Sequence, residues 1–274
     1  MAWRRRWQTV RGLARERGLG YALRYALVHT GGPHFTAALG HLARAIRWYP
    51  RLSGVPIDPH HPHLTPTQVG YWWLLGASYE EPEITLSATW LPPDLPVVEL
   101  GGCLGVVACR VNAGRTDPHA HVVVEADTRL VAEIERLRDS EGAAFTVRGG
   151  ALAYGGPTTE LRRTAQSLMG SSVYAINETA DDDVLTVPTV GLATLLDEQG
   201  WARAAVICDI EGAEHDLLAN EGDVLAARVP WLVMELHEVL GRTIDDALAR
   251  LAALGFEPLE RKLNTVALRG PAAV

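Results

Sequence analysis

From Pro96 onward, short apolar runs alternate with segments whose apolar positions recur at helical spacing. The runs predict strands near 97–101, 121–125, 145–149, 205–209, 231–236, 256–261 and 265–269. The intervening segments predict helices near 105–112, 128–140, 191–200, 213–220 and 243–254. Strands such as Val97-Val98-Glu99-Leu100 and Ala205-Val206-Ile207-Cys208 carry apolar residues on both faces. Together with the alternation, this predicts a mostly parallel sheet covered by helices on both sides. Thr243 and Asp246 have the spacing of a capping box, and Gly255 suits the stop of the last helix. The final two strands flank Lys262-Leu263-Asn264 and read as a closing hairpin. The class is therefore α/β, with a seven-stranded, mostly parallel sheet.

The first third of the chain follows another pattern. Residues 1–57 look helical. Trp3, Trp7 and Val10 share one face opposite arginines, Gly18 and Gly20 interrupt the pattern, and Phe35, Leu39, Leu42 and Ile46 form a second apolar stripe. Pro56-Ile57-Asp58-Pro59-His60-His61-Pro62-His63 is a proline-rich connector. Short helices follow near 68–75 and 79–90. The organisation this suggests is a helical extension with its linker over residues 1–68 and the α/β domain over 69–274. Residues 155–190 break the strand–helix rhythm and include Asp181-Asp182-Asp183. An insertion of that length before a core strand is expected to line or cover a substrate pocket.

Charge divides along the same line. Residues 1–57 hold ten Arg and one Glu, a net of +9, while the whole chain of 274 residues carries −8. The remainder therefore carries −17, which repels phosphates and argues against a nucleic-acid-binding catalytic domain. The basic head suits an anionic surface, and residues 1–30 are a candidate for peripheral membrane contact. No apolar run reaches the roughly 18 residues that span a bilayer. Three cysteines (Cys103, Cys109, Cys208) form no disulfide framework and are expected to be small buried hydrophobes, consistent with a cytoplasmic setting.

The candidate chemistry begins at Val97-Val98-Glu99-Leu100-Gly101-Gly102-Cys103-Leu104-Gly105. A strand, a glycine turn and a helix start follow one another there, as where an open α/β sheet holds a nucleotide-like cofactor. About twenty residues on, His121-Val122-Val123-Val124-Glu125 ends in a carboxylate, the spacing of an acid that grips ribose hydroxyls. A dinucleotide fingerprint ending at Gly105 needs Gly where Leu100 stands. The order E-x-G-x-x-x-G, from Glu99 through Gly101 to Gly105, instead resembles the first motif of class I S-adenosylmethionine-dependent methyltransferases.

A second anchor is Val206-Ile207-Cys208-Asp209-Ile210-Glu211-Gly212-Ala213-Glu214, where carboxylates crowd the exit of a buried strand. The next strand, Leu232-Val233-Met234-Glu235-Leu236-His237-Glu238, ends in the same way. Carboxylates this close need a cation, shared protons or hydrogen bonds, a condition commonest at functional sites. These two segments, with Thr194-Leu195-Leu196-Asp197 and Gly170-Ser171-Ser172, resemble the motifs of FkbM-family methyltransferases over about residues 79–269. The pattern departs at Glu99, where Asp is commoner, at Ala126, where Pro is usual, and at Cys208, where Lys is frequent.

The resemblance implies a Rossmann-like class I methyltransferase fold and S-adenosylmethionine as cofactor. It implies methyl transfer to a hydroxyl of a sugar, glycan or polyketide-type natural product. Glu99, Gly101 and Gly105 would surround the methionine moiety, Glu125 would hold the ribose, and Asp209 would lie near the amino or sulfonium end. Glu211 and His237 would face a small-molecule or glycan acceptor. An alcohol must lose its proton as it accepts a methyl group, and His237, titrating near neutrality, is the first choice of base, with Glu211 second. Asp209, Glu211 and Glu235 could alternatively hold Mg²⁺ against a sugar diol. An NAD-dependent oxidoreductase on the same architecture and a non-catalytic cofactor-binding domain are the competing readings. Trp72, Trp73, Tyr79 and Trp90 could stack on a sugar face or belong to the core.

Overall fold

The structure is a computed structural model that describes residues 13–14, 18–61, 64–163, 172–174 and 183–273. The chain divides into two compact units, Met1–Glu81 and Pro82–Val274. The division falls beyond the expected one at residue 68, because the helix over Pro66–Leu75 packs on the helix that precedes it.

In the first unit, α1 (Leu19–Ala45) is two helical pieces joined at Gly32, whose φ of 69° and ψ of −173° break the helix before Pro33. A two-stranded ribbon follows, β1 (Arg51–Leu52) and β2 (Val55–Pro56), and then α2 (Pro66–Leu75), which opens on a Thr65–Gln68 capping box. The expected stripe of Phe35, Leu39, Leu42 and Ile46 is not the buried face, since Leu42 is 48% and Ile46 57% exposed. Thr36, Gly40 and Ala43 are buried instead. A Cβ on Gly40 would lie 1.7 Å from the Pro66 carbonyl oxygen, and one on Gly70 1.8 Å from that of Thr36. The two helices thus meet backbone to backbone, which only glycine allows, and small residues displace large ones from the contact. Trp3, Trp7 and Val10 lie outside the described residues.

The second unit carries the sheet. Its elements begin with α3 (Glu81–Trp90), β3 (Val97–Leu100), α4 (Val106–Asn112), β4 (His121–Glu125), α5 (Val131–Glu141) and β5 (Thr146–Gly149). There follow β6 (Ala151–Leu152), β7 (Thr158–Arg163), β8 (Asp183–Val190), α6 (Leu192–Glu198) and β9 (Ala205–Cys208). The chain closes with α7 (Glu214–Asn220), α8 (Gly222–Arg228), β10 (Trp231–Glu235), α9 (Ile244–Ala253), β11 (Glu257–Lys262) and β12 (Thr265–Arg269). The seven-stranded sheet runs β11-β12-β10-β9-β3-β4-β5, and β12 alone runs against the direction of the other six. All seven expected strands are present within a residue or so of their limits. The Thr243–Asp246 capping box forms, and Gly255 (φ 86°) ends the last helix turn. One helix, α8, was not expected, because Asn220-Glu221-Gly222 reads as a turn leading directly to the next strand. Part of the 155–190 insertion is also regular, with β7 and β8 joining the preceding β6 in a small sheet ordered β6-β8-β7.

The core strands β3, β4 and β9 are buried on both faces, which explains their unbroken apolar runs. One side is filled by Val98, Leu100, Val206, Cys208, Leu232 and Met234, the other by Val97, Ala205, Ile207 and Val233. Registers place Leu100 level with Val124 and Cys208, and Cys208 level with Met234. The chain leaves β3 toward β4 and β5 on one side and reaches β9 and β10 on the other. The crevice between β3 and β9 is therefore the topological switch point, where open α/β sheets bind ligands.

Candidate active site at the switch point

The glycine turn follows β3 at this crevice. Gly101 has φ 96°, and a Cβ there would lie 1.8 Å from the Asp209 carbonyl oxygen, so the exits of β3 and β9 touch through backbone alone. Gly105 (φ 78°) starts α4 against Ile134. Cys103, between them, takes the left-handed conformation at φ 44° without being glycine. It is partly exposed, unlike the buried Cys109 and Cys208, and so departs from the expected buried hydrophobe.

Glu125 pins this turn. Its Oε2 accepts from the Cys103 N–H at 2.6 Å and its Oε1 from the Asp127 N–H at 2.7 Å. Burial raises its pKa to about 7, against the lowering effect of those two amides. The Gly102 N–H adds a third bond, and a carboxylate with about four acceptor positions keeps capacity for one further donor. Glu99 is set apart from the rim. It is 1% exposed, lies 3.3 Å from the fully buried His121, and has its pKa raised by burial against the opposing pull of that histidine.

The exit of β9 has the same construction. Glu211 sits at φ 51°, a conformation costing about 1–3 kcal/mol that persists only under constraint. Here the constraint is the fully buried Glu214, which accepts from the Ile210 N–H and the Gly212 N–H, each at 3.0 Å. Ser172, in the insertion, adds a third tie by donating its hydroxyl to the Glu211 carbonyl at 2.7 Å. The insertion thus touches the Glu211 turn. Beside it, Tyr174 donates to Asp216, and Arg242 stacks on its ring 4.9 Å from the centroid while pairing with Asp216 at 2.7 Å.

Glu214 also orients His237, with its Oε1 3.1 Å from Nδ1. The opposite nitrogen, Nε2, then faces Glu211 at 3.7 Å and Asp209 and Glu235 at 3.9 Å each. Burial alone would lower the His237 pKa. The hydrogen bond and charge of Glu214, with the charges of Glu211 and Glu235, outweigh it and lift the value to about 9. At neutral pH the imidazole is therefore cationic and offsets part of the surrounding negative charge. Burial raises the Glu211 carboxyl as well, opposed by His237.

Sequence reasoning brought Asp209, Glu211, Glu235 and His237 together correctly, but missed Glu83 and the double role of Glu214. Glu83 is 3% exposed on α3, accepts from the Thr265 hydroxyl, and hydrogen-bonds the Glu235 carboxyl. Burial and the Glu83 charge push Glu235 up to about 7. The signal for Glu83 was its place with Leu86 and Ser87 on the buried stripe of α3.

A cation could be held by Asp209, Glu211 and His237, whose ligand atoms lie within 4.8 Å of one another. Glu235, expected as the third ligand, is engaged with Glu83, and His237 takes its place in the set. The four aromatic residues considered for stacking are occupied within the protein. Trp72 packs edge-on against Tyr79, Trp73 stacks on Trp48, and the Trp90 indole N–H donates to Glu260 at 2.9 Å.

The strand order, its single antiparallel strand and a glycine turn at the switch point define a Rossmann-like methyltransferase fold. No family model matches the chain, and no curated protein matches it in sequence. Among solved structures, a protein in the NADB-Rossmann superfamily from Streptococcus agalactiae aligns at 14% identity and TM-score 0.44, over 69% of this chain and 67% of that one. Precorrin-6y C5,15-methyltransferase from Geobacter metallireducens aligns at 13% identity and TM-score 0.42, over 70% and 87%. The METTL16 methyltransferase domain aligns at 10% identity and TM-score 0.46, over 94% of each chain. Likeness at this level concerns the fold alone, and the fold assignment here stands on the strand order.

Proposed function

We propose that the protein is an S-adenosylmethionine-dependent O-methyltransferase acting on a hydroxyl of a sugar, glycan or polyketide-type natural product, with FkbM-type motifs. One observation carries the reading. The glycine turn of β3 and the carboxylate–histidine cluster of β9 and β10 border one crevice, in backbone contact at Gly101 and Asp209. A methyl donor seated on the turn would present its sulfonium to the cluster.

S-adenosylmethionine supplies the electrophilic methyl group. The turn from Gly101 to Gly105 offers its backbone to the methionine part, and the Glu125 carboxylate accepts a ribose hydroxyl. Asp209 lies between the cofactor and acceptor sides, its charge complementing an ammonium or sulfonium. The acceptor oxygen must be in line with the methyl group, and holding it there can contribute roughly 7–11 kcal/mol in ideal systems. The charge state of His237 reverses the expected order of the two bases. With the imidazole already protonated, Glu211 takes the hydroxyl proton, and His237 steadies the carboxylate beforehand. A positioned base of this kind adds roughly 10²–10⁴-fold.

The test is calorimetric titration of S-adenosylhomocysteine, with NADH as control, into wild type and Glu125→Gln. Micromolar binding of the former, weakened roughly tenfold or more in the variant, is expected. Because ribose hydroxyls favour the ionised Glu125, the affinity should rise as pH increases through about 7. Binding of NADH alone would overturn the reading in favour of an oxidoreductase. A divalent cation at Asp209, Glu211 and His237 is a second reading, favoured by their spacing. It requires His237 to release its proton, and turnover unchanged by EDTA would exclude it.

A further inference from the structure

Ten large hydrophobic side chains are conspicuously exposed among the described residues, and seven of them belong to the first unit: Leu19, Leu23, Leu27, Leu42, Ile46, Tyr49 and Tyr71. Leu19, Leu23 and Leu27 are 67%, 55% and 51% exposed. Spaced by four residues, they fall within an arc of about 80° on the first piece of α1. Ala22 and Val28 form the buried, opposite side of that piece. Leu42 and Ile46 repeat the spacing on the second piece. Exposed arginines flank both rows, Arg24 beside the first and Arg47 beside the second.

A helix row of leucines is costly in water and needs a cover. Charge says which cover. The first 57 residues carry +9 and the other 217 carry −17, so a surface rich in anionic groups attracts this part of the chain and repels the rest. No helix of the described residues is long and apolar enough to cross a bilayer. A short leucine row edged by arginine can instead lie in the plane of the interface.

We infer that the first unit docks on an anionic lipid surface, with Leu19, Leu23 and Leu27 entering the headgroup–acyl boundary and the arginines pairing with lipid phosphates and carboxylates. Attachment through the leucine row and the arginines by themselves is reversible. It does not depend on the catalytic reading.

The experiment is co-sedimentation of the full chain with vesicles of phosphatidylcholine alone and of phosphatidylcholine mixed with phosphatidylserine. The wild type should bind the mixed vesicles roughly tenfold or more tightly than the neutral ones, and added salt should release it. Leu23→Glu with Leu27→Glu should abolish the binding without lowering the melting temperature, because both side chains already face water. Arg24→Glu with Arg47→Glu should remove the preference for phosphatidylserine. Equal partition into both vesicle types, no partition, or undiminished binding of the leucine variant would overturn the inference. So would a wild-type dimer in solution that Leu23→Glu splits into monomers, since a second copy would then be the cover.

Discussion

The two units place side chains by opposite rules. In the second, large aliphatic residues fill both faces of a parallel sheet, and the polar groups it buries gather where strands end. In the first, glycines and other small residues make the helix contact, leucines face outward, and the charge is of the other sign. The difference teaches that an apolar stripe marks a buried face only when nothing smaller competes for the contact. In the sheet unit the volume to be filled between layers calls for Val, Ile and Leu. In the first unit the helices approach so closely that a single methyl group would not fit, and the larger residues of α1 are left for some other surface.

The sharpest way to break the comparison is a matched pair of methyl additions. Gly40→Ala would press on the Pro66 carbonyl and Gly101→Ala on that of Asp209, the latter also on a left-handed backbone. Each should cost about 3 kcal/mol in denaturant melts. Only Gly101→Ala should also weaken S-adenosylhomocysteine, by roughly tenfold or more in calorimetry. Equal cofactor affinity in the two variants would erase the distinction between scaffold and site.

His121→Leu probes the polar interior of the second unit. It leaves Glu99 buried without its partner, and removing one member of such a pair costs about 3 kcal/mol or more when the other stays charged. The folded-state pKa of Glu99 is already raised, and the substitution raises it further. A carboxyl with a raised folded pKa contributes stability that is complete below its unfolded value and lost as pH rises through the folded one. The deficit should therefore be small near about pH 4 and grow toward about pH 8. A deficit independent of pH in urea melts would show that the pair is not ionic.

The smallest effect is expected at a cap. Thr243 accepts from the Asp246 N–H at 3.1 Å, and Thr243→Ala should cost about 1 kcal/mol with cofactor affinity unchanged. A change in affinity would mean that the start of α9 bears on the site.

The local pattern of the chain was enough to locate the seven strands, most of the helices, the capping box and the two acidic strand ends. Each is a matter of neighbours within a few residues: a run buried on both faces, a helical period, a hydroxyl three positions before a carboxylate. The spacing from the glycine turn pointed to Glu125, and the two acidic strand ends to Asp209, Glu211, Glu235 and His237, since consecutive residues at the end of a strand share an exit. Only the tertiary structure decided how these groups are charged and held. Glu83 comes from a helix 152 residues before Glu235, and no local pattern pairs them. Glu214 fixes both the strained Glu211 turn and the His237 ring, so the proton rests on a histidine that the sequence alone suggested as base. Glu99, similar in sequence terms to Glu125, is paired with His121 away from the rim because it lies inside β3, whereas Glu125 is the last residue of β4. The burial of Gly40 rather than Leu42 was equally illegible, because periodicity reports which residues share a face and only the distance between backbones decides which face is inside.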